Sequence, residues 1–395
     1  MVGTSPAQGS VLRTPGMLTA MAMAAAAFGG FALLLPVVPL VVSRAGGSDA
    51  VAGAVTATLM AATVLTQLVT ARLLRRFGHR TVLAAGCVLL GLPSLALIWV
   101  ATSAPAVLAV SAVRGVGFGL LTVASAALVA ELVPAERLGR ASGLQGIAIA
   151  ATQMLGLPAG LALLDRFSVV PAILAGAAVP VLALAAIVRL PSLARPTAHS
   201  RHGAGLPWAA IAVPWAAVAA AALAYGAVAS LLPIAVADAA APAGLLLAAV
   251  SAAMLAGRYS AGVLSDRTGP GRVVWPALGV TAAGLLAFAV GVVVDAGAGQ
   301  TSALILGAVA FGLGFGAVQN DSLVMIFTAA GPGRTGPASA AWNIGFDAGT
   351  GVGSLTLGVV AAVAGYPWLF VVAAVIVPVL PFAVLTVGGS RRAHR

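Results

Sequence analysis

The chain consists of long apolar stretches separated by short polar segments. Each stretch is apolar all round and shows no alternation of polar and apolar positions. About 20 apolar residues in a helix cross a hydrocarbon core of about 30 Å. Lipid offers no partner for an unpaired backbone amide, and strands of a membrane barrel would alternate, so helix is the predicted backbone. Twelve helices are predicted, at residues 17–42, 51–71, 82–101, 105–130, 142–164, 168–188, 208–236, 244–264, 273–294, 301–328, 338–363 and 367–387.

The composition indicates a protein that is solvated by lipid. Hydrophobic residues make up 61% of the 395 residues and charged residues only 7%, whereas soluble domains carry about 25% charged residues. We expect the first span to be a retained helix and not a signal peptide, because it exceeds the length of a signal peptide's apolar region. The sequence therefore predicts an all-α membrane protein.

The basic residues are all arginines, and most lie on one side of the predicted membrane. Arg44 and Arg166 fall on the other side, and Arg114 lies inside a span. Positive residues concentrate in cytoplasmic loops, so both termini are predicted to be cytoplasmic. The richness in alanine and arginine is associated with GC-rich bacterial genomes, so we expect a bacterial cytoplasmic membrane. This distribution accounts for the net charge of +11 without nucleic acid as a partner.

The two halves of the chain resemble each other. GVGFG at residues 115–119 recurs as GLGFG at 312–316, and FGGFALLLP at 28–36 matches YGAVASLLP at 225–233, both at an offset of 197. The repeat predicts two pseudo-symmetric six-helix bundles, at residues 1–188 and 208–395. A cytoplasmic linker at residues 189–207 joins them. A spacing of four residues predicts close helix packing and leaves a hinge as the alternative. It is found for Gly115 and Gly119, for Gly312 and Gly316, and for Gly345, Gly349 and Gly353.

A charged turn follows the second helix of the second half. GVLSDRTGPGR begins at Gly262 and contains Asp266, Arg267, Gly269 and Arg272. With the twelve spans, the repeat and the central linker, this turn resembles the loop signature of the major facilitator superfamily of secondary transporters. The resemblance covers essentially the whole chain. It implies alternating access between the two bundles, a monomeric state and a role for this turn in holding one conformer shut.

The carboxylate of this turn has a predicted partner. Because a helix N-terminus attracts a carboxylate, we expect Asp266 to face the start of the fifth helix, near Arg140 and Ala141. A simple positively charged turn is the alternative. The equivalent segment of the first half, residues 71–80, has Ala71 and Arg75 in place of the glycine and the aspartate, so this role is not assigned there.

Four ionisable residues lie inside predicted spans, namely Arg114, Arg258, Asp321 and Asp347. Such residues cost about 2.5–3.5 kcal/mol at a helix centre, which makes each a candidate for proton coupling or substrate binding. The last three lie at similar depths, so we predict one buried Asp321–Arg258–Asp347 cluster in which one acid exchanges a proton. A static salt bridge is the alternative. The resemblance links an arginine placed as Arg114 is to proton coupling; a substrate contact or a structural anchor remains possible.

Polar and aromatic residues near these charges form a candidate ligand cavity. Aromatic rings suit an apolar ligand and amides orient it, whereas helix packing would explain the same rings. The candidate cavity residues are Tyr225, Gln319, Asn320, Trp342, Asn343 and Phe346. No catalytic, cofactor-binding or metal-binding motif is found, and we expect no cofactor.

These features predict a proton-coupled transporter that exports a small, largely apolar compound by antiport. GLPAG at residues 156–160 resembles a shortened form of a Gly–Pro motif of family exporters. The first alternative is proton-coupled uptake of a small anionic metabolite held by Arg114. Two further alternatives are a membrane-embedded enzyme that modifies lipid, against which the loop positions of the histidines argue, and a scaffold or receptor without transport.

Overall fold

The computed structural model describes residues 11–134, 137–190, 206–239, 241–331 and 334–393. This part of the chain contains 12 helices that are long and apolar enough to cross a membrane, and each matches a predicted span within a few residues. We number them α1 (Met17–Arg44), α2 (Asp49–Phe77), α3 (His79–Val100), α4 (Ala104–Leu132), α5 (Leu138–Arg166), α6 (Val169–Val188), α7 (Trp208–Ala235), α8 (Ala243–Thr268), α9 (Val274–Gly291), α10 (Ala298–Ala330), α11 (Thr335–Ala364) and α12 (Tyr366–Ala393).

Two equivalent glycines end the second helix of each half. Gly78 lies between α2 and α3 with φ 79°, and Gly269 ends α8 with φ 87°. Both values belong to the left-handed region, where only glycine avoids a steric penalty. The two positions are 191 residues apart, the same offset that aligns the two charged turns. The chain therefore reverses direction in the same way at both places.

The glycine-rich run of α4 lets this helix pack tightly against two neighbours. A Cβ atom at Gly115 would lie 2.1 Å from the carbonyl oxygen of Leu59 in α2, whereas one at Gly117 would lie 2.4 Å from the amide nitrogen of Leu90 in α3. Alternate glycines of the run therefore face opposite sides. In α10, Gly312 and Gly316 meet α8 and Gly314 meets α9 in the same manner.

Helix packing repeats between the halves. The first helix of each half packs against its fifth and sixth helices, and the fourth packs against the second and third. The structure thus has the predicted architecture of two pseudo-symmetric bundles of six helices. The segment between them, residues 191–205, lies outside the described residues, so the exact domain boundaries stay a prediction.

The halves meet mainly through three helix pairs, α2 with α11, α5 with α8, and α1 with α7. Below, the terminal side is the membrane side on which α1 begins, and the far side is the one on which α2 begins. Close contacts hold the far side shut. A Cβ at Gly53 of α2 would lie 2.0 Å from the carbonyl oxygen of Ser354 in α11, and Gly244 of α8 lies against Leu161 of α5.

Candidate functional site

A buried carboxyl group joins the two halves. Asp347 of α11 is only 5% exposed, and its Oδ2 accepts a hydrogen bond of 2.6 Å from Nε2 of Gln67 in α2. The same amide nitrogen donates to Oγ1 of Thr122 in α4 at 3.2 Å. Oε1 of Gln67 is buried and has no hydrogen-bond partner within the described ranges. The pair lies about 27 Å along α2 from its far-side end, at 1.5 Å per residue.

Hydroxyl groups continue the contact toward the far side. Oγ1 of Thr56 in α2 and Oγ of Ser230 in α7 are 2.8 Å apart, and Ser230 lies 3.4 Å from Oγ of Ser354 in α11. At the far end, the hydroxyl of Tyr366 donates a hydrogen bond of 2.6 Å to Oδ1 of Asp49. The interface between α2 and the second half is therefore joined by polar contacts from its far-side end down to Asp347.

Arg114 is buried, and no carboxylate pairs with it among the residues that the structure describes. Its side chain is enclosed at 2% exposure, and its Nε meets no hydrogen-bond partner in the described part of the chain. The residue lines a small cavity beside Thr56, Leu59 and Phe31. Arg114 therefore lies next to the hydroxyl groups that join the halves, inside protein and not in lipid.

Asp321 has a role that the sequence did not predict. Its Oδ1 accepts a hydrogen bond of 2.7 Å from the hydroxyl of Ser265, and its Oδ2 accepts one of 2.8 Å from the backbone N–H of Val274 at the start of α9. The N–H of Gly271 contacts both carboxylate oxygens at 3.2 Å. A carboxylate at a helix N-terminus satisfies backbone donors that have no partner within the helix. Asp321 thus ties the end of α8 and the start of α9 to α10.

The predicted Asp321–Arg258–Asp347 cluster is not formed. Asp321 binds the turn between α8 and α9, Asp347 binds Gln67, and Arg258 has no ion pair with any residue that the structure describes. Similar depth along three helices does not make their side chains point at one another. Arg258 lies 191 residues after Gln67, so it occupies the pseudo-symmetric position in α8, where it is half-buried.

The charged turn is positioned differently from the prediction. Asp266, Arg267 and Arg272 are exposed, and among the described residues Asp266 has no hydrogen bond or ion pair. The predicted contact with the start of α5 is therefore not made with Ala141, and the side chain of Arg140 lies outside the described residues. The carboxylate that holds this turn in the structure is Asp321.

The candidate cavity residues form one wall of aromatic rings in the second half. Ring centroids lie 5.4 Å apart for Trp342 and Phe346, 5.9 Å for Phe346 and Tyr225, and 4.8 Å for Tyr225 and Phe315. Tyr225 and Trp342 are buried in these packing contacts, and Gln319 is buried where its Nε2 donates to Sδ of Met254 at 3.6 Å, so none of the three is exposed to an open cavity in this conformer. The half-buried members of the set are Asn320, Asn343 and Phe346.

The sequence profile of the Major Facilitator Superfamily matches residues 20–320 and 214–394. The chain belongs to this family. It is accordingly a multi-pass membrane transporter and not an enzyme. No group of three metal-binding side chains occurs within the residues that the structure describes.

Solved structures of family members share this fold. A peptide transporter POT in complex with sulfate is 13% identical and superimposes with a TM-score of 0.77, covering 98% of this chain and 96% of that one. The inward-open xylose transporter XylE from E. coli is 15% identical, with a TM-score of 0.71 and coverage of 93% and 94%. The nucleoside transporter NupG is 14% identical, with a TM-score of 0.70 and coverage of 94% and 98%. No curated protein matches the chain in sequence.

Sequence reasoning missed Gln67 as the partner of Asp347 and missed the seryl and threonyl hydroxyls between the halves. A usable signal was present for Gln67. The offset of 191 aligns it with Arg258, so a polar residue occupies this position in both halves. The serines and threonines gave no comparable signal, because their hydroxyls often bond the backbone of their own helix, as Thr63 bonds the carbonyl of Leu59 at 2.9 Å.

Proposed function

We propose that the protein is a proton-coupled secondary transporter that exports a small, largely apolar compound by antiport. The observation that carries this proposal is the burial of the Asp347 carboxyl group between the two halves. A carboxyl group at membrane depth is costly, and this one lies between two halves that must separate during alternating access. A proton bound there acts at the point where the conformational change occurs.

The surroundings of Asp347 support an apolar substrate. Phe346 is the preceding residue, and its ring stacks on Trp342 and lies tilted against Tyr225, so the neighbourhood is aromatic. Asn343 lies one turn before Asp347 on the same helix, where its amide can orient a ligand. We further propose that the terminal side is cytoplasmic, since most arginines lie there, that the membrane is the bacterial cytoplasmic membrane, and that the protein acts as a monomer with two domains, residues 1–188 and 208–395.

The test is transport in reconstituted vesicles under an imposed pH gradient, with a panel of apolar and anionic compounds. Both ligand flux and internal pH are recorded. We expect export of an apolar compound in exchange for protons, and Asp347→Asn is expected to abolish the proton flux. The matched control is Asp165→Asn, because Asp165 is an exposed carboxylate that pairs with Arg44 of its own half at 3.4 Å. Proton coupling that survives Asp347→Asn would refute the proposal.

Arg114 favours a second candidate function, uptake of a small anionic metabolite together with a proton. Among the described residues its guanidinium has no carboxylate partner and its Nε has no acceptor, so an anionic ligand would satisfy both. The same vesicle assay separates the two functions. Accumulation of an anion that depends on Arg114 would support uptake and exclude apolar export as the main activity.

A further inference from the structure

We propose that Gln67 and Asp347 together form the proton site, as a neutral pair of a carboxylic acid and an amide that holds the far side closed. The proposal rests on the proposed function insofar as Asp347 exchanges the transported proton. It adds Gln67 as a second residue of the site and states that Asp347 is protonated in this conformer. It also connects this protonation state to the contact between the two halves.

Two features of the pair point to a protonated acid. Ionised Asp347 would be a buried charge without a cation, which is strongly unfavourable. Oε1 of Gln67 is a buried acceptor without a donor. A single proton on Asp347 removes both problems, because the acid then has one donor for the amide oxygen and one acceptor for the amide nitrogen. A small rotation of the side chains gives a pair in which each group donates one hydrogen bond.

In the part of the chain that the structure describes, no other charge neutralises Asp347 in place of the proton. The helices packed against α11 are α2, α7, α10 and α12. None of their described ionisable groups forms an ion pair with Asp347. On α10, the carboxylate of Asp321 is fully engaged by the turn before α9. The ionisable residues of these four helices are Asp49, Arg72, Arg75, Arg76, Tyr225, Asp321, Tyr366, Arg391 and Arg392; the side chains of the last two lie outside the described residues.

The position of the pair connects proton release to opening. Gln67 belongs to the first half and Asp347 to the second, and the polar contacts joining α2 to the second half extend from them toward the far side. When the acid O–H bond breaks, the proton passes to water and a carboxylate remains. The carboxylate cannot donate to Oε1 and favours hydration, so α2 and α11 separate. The protonated form therefore favours far-side closure, and deprotonation favours far-side opening.

The chain permits an isosteric test of this pair. Asp347→Asn leaves two amides and no proton to release. Adding Gln67→Glu restores an acid and an amide with their positions exchanged, at unchanged side-chain size. The reporter is Met60→Cys in a Cys87→Ala background, because Met60 is 1% exposed and lies against Gly351 of α11. A membrane-impermeant thiol reagent added from the far side then measures opening.

Each labelling rate is divided by the rate of a fully exposed cysteine at the same pH, because the reactive thiolate becomes more abundant as pH rises. Without substrate, the parent protein is then expected to label roughly tenfold faster at about pH 8 than at about pH 5. Asp347→Asn is expected to label slowly at both, and the double variant Gln67→Glu with Asp347→Asn is expected to regain the pH dependence. Gln67→Met keeps the bulk and removes the amide, so labelling at low pH rises toward the high-pH rate. Thr56→Val, which removes a hydroxyl contact between the same halves, serves as control and keeps the pH dependence.

Two outcomes would overturn the inference. One is a double variant that stays independent of pH although it is folded, which is judged by its unfolding temperature. The other is a pH dependence that persists in Asp347→Asn. Neither outcome decides the proposed function, which is tested by flux in vesicles. If labelling depends on pH as expected but no proton flux is found, only antiport is refuted. If proton flux is found but the double variant does not regain the pH dependence of labelling, only the role of Gln67 is refuted.

Discussion

Gly53 provides a way to open the far side by adding a single methyl group. In Gly53→Ala, the new Cβ would lie 2.0 Å from the carbonyl oxygen of Ser354, whereas real Cβ atoms essentially never approach within 3.0 Å. The obstructing atom belongs to the backbone of α11, so no side-chain rotation relieves the clash. The helices must move apart by about 1 Å or more. Overpacking of this kind costs about 1–3 kcal/mol.

The cost of Gly53→Ala falls on the closed conformer alone, because α2 and α11 belong to different halves. A change of about 1–3 kcal/mol shifts an equilibrium by about 5–150-fold. We therefore expect far-side labelling of Met60→Cys to rise by a factor in this range. The matched control is Gly353→Ala, whose Cβ would lie 1.9 Å from the carbonyl oxygen of Leu223 within the same half. It should lower the unfolding temperature without faster labelling.

The comparison of Gly53→Ala with Gly353→Ala can refute this reasoning. If Gly53→Ala labels at the parent rate, or if both glycine variants speed labelling equally, then the contact between α2 and α11 does not control opening. Both substitutions replace a helical glycine with alanine, so the gain in helix propensity is the same and cancels between them.

Three further predictions concern other contacts of the site. Asp321→Asn should destabilise the protein by about 1–3 kcal/mol, because the carboxylate accepts hydrogen bonds from two backbone amides, while Asp266→Asn should have little effect. Thermal unfolding of the two variants measures this difference, and an equal loss of stability in both would contradict the role assigned to Asp321. Arg114→Gln should abolish transport but leave the free energy of unfolding equal to or higher than that of the parent protein, because it removes a buried Nε that lacks a described partner. A large loss of stability would instead indicate that Arg114 is a structural anchor. Tyr366→Phe removes the hydrogen bond to Asp49 and should speed far-side thiol labelling a few-fold, and unchanged labelling would exclude this contact from closure.

The helices and their symmetry were predictable because they depend on patterns along the chain. An uninterrupted apolar run fixes a helix in lipid, and the positive φ of Gly78 and Gly269 explains why a glycine occupies both turns. The glycine spacing also predicted helix contacts correctly, as Gly345 and Gly349 both face α7. Local chemistry and the membrane suffice for these features.

The partners of the buried charges were not predictable in the same way. Depth along a helix follows from counting residues, but the direction of a side chain around the helix depends on how the helices are rotated. Asp321 and Arg258 were therefore placed together by depth, although Asp321 faces the turn before α9. Asp266 was expected to contact the start of α5 because it belongs to the local motif of this turn, whereas the carboxylate that binds the turn, Asp321, comes from α10.

The equivalence of Gln67 and Arg258 has a consequence for the energetics of transport. The same pseudo-symmetric position carries a neutral amide on α2 and a permanent positive charge on α8. Moving one elementary charge through a membrane potential of 100 mV changes its free energy by about 2.3 kcal/mol. At this level of the bilayer, a displacement of α8 along the field is therefore assisted or opposed by voltage, while the corresponding movement of α2 is not.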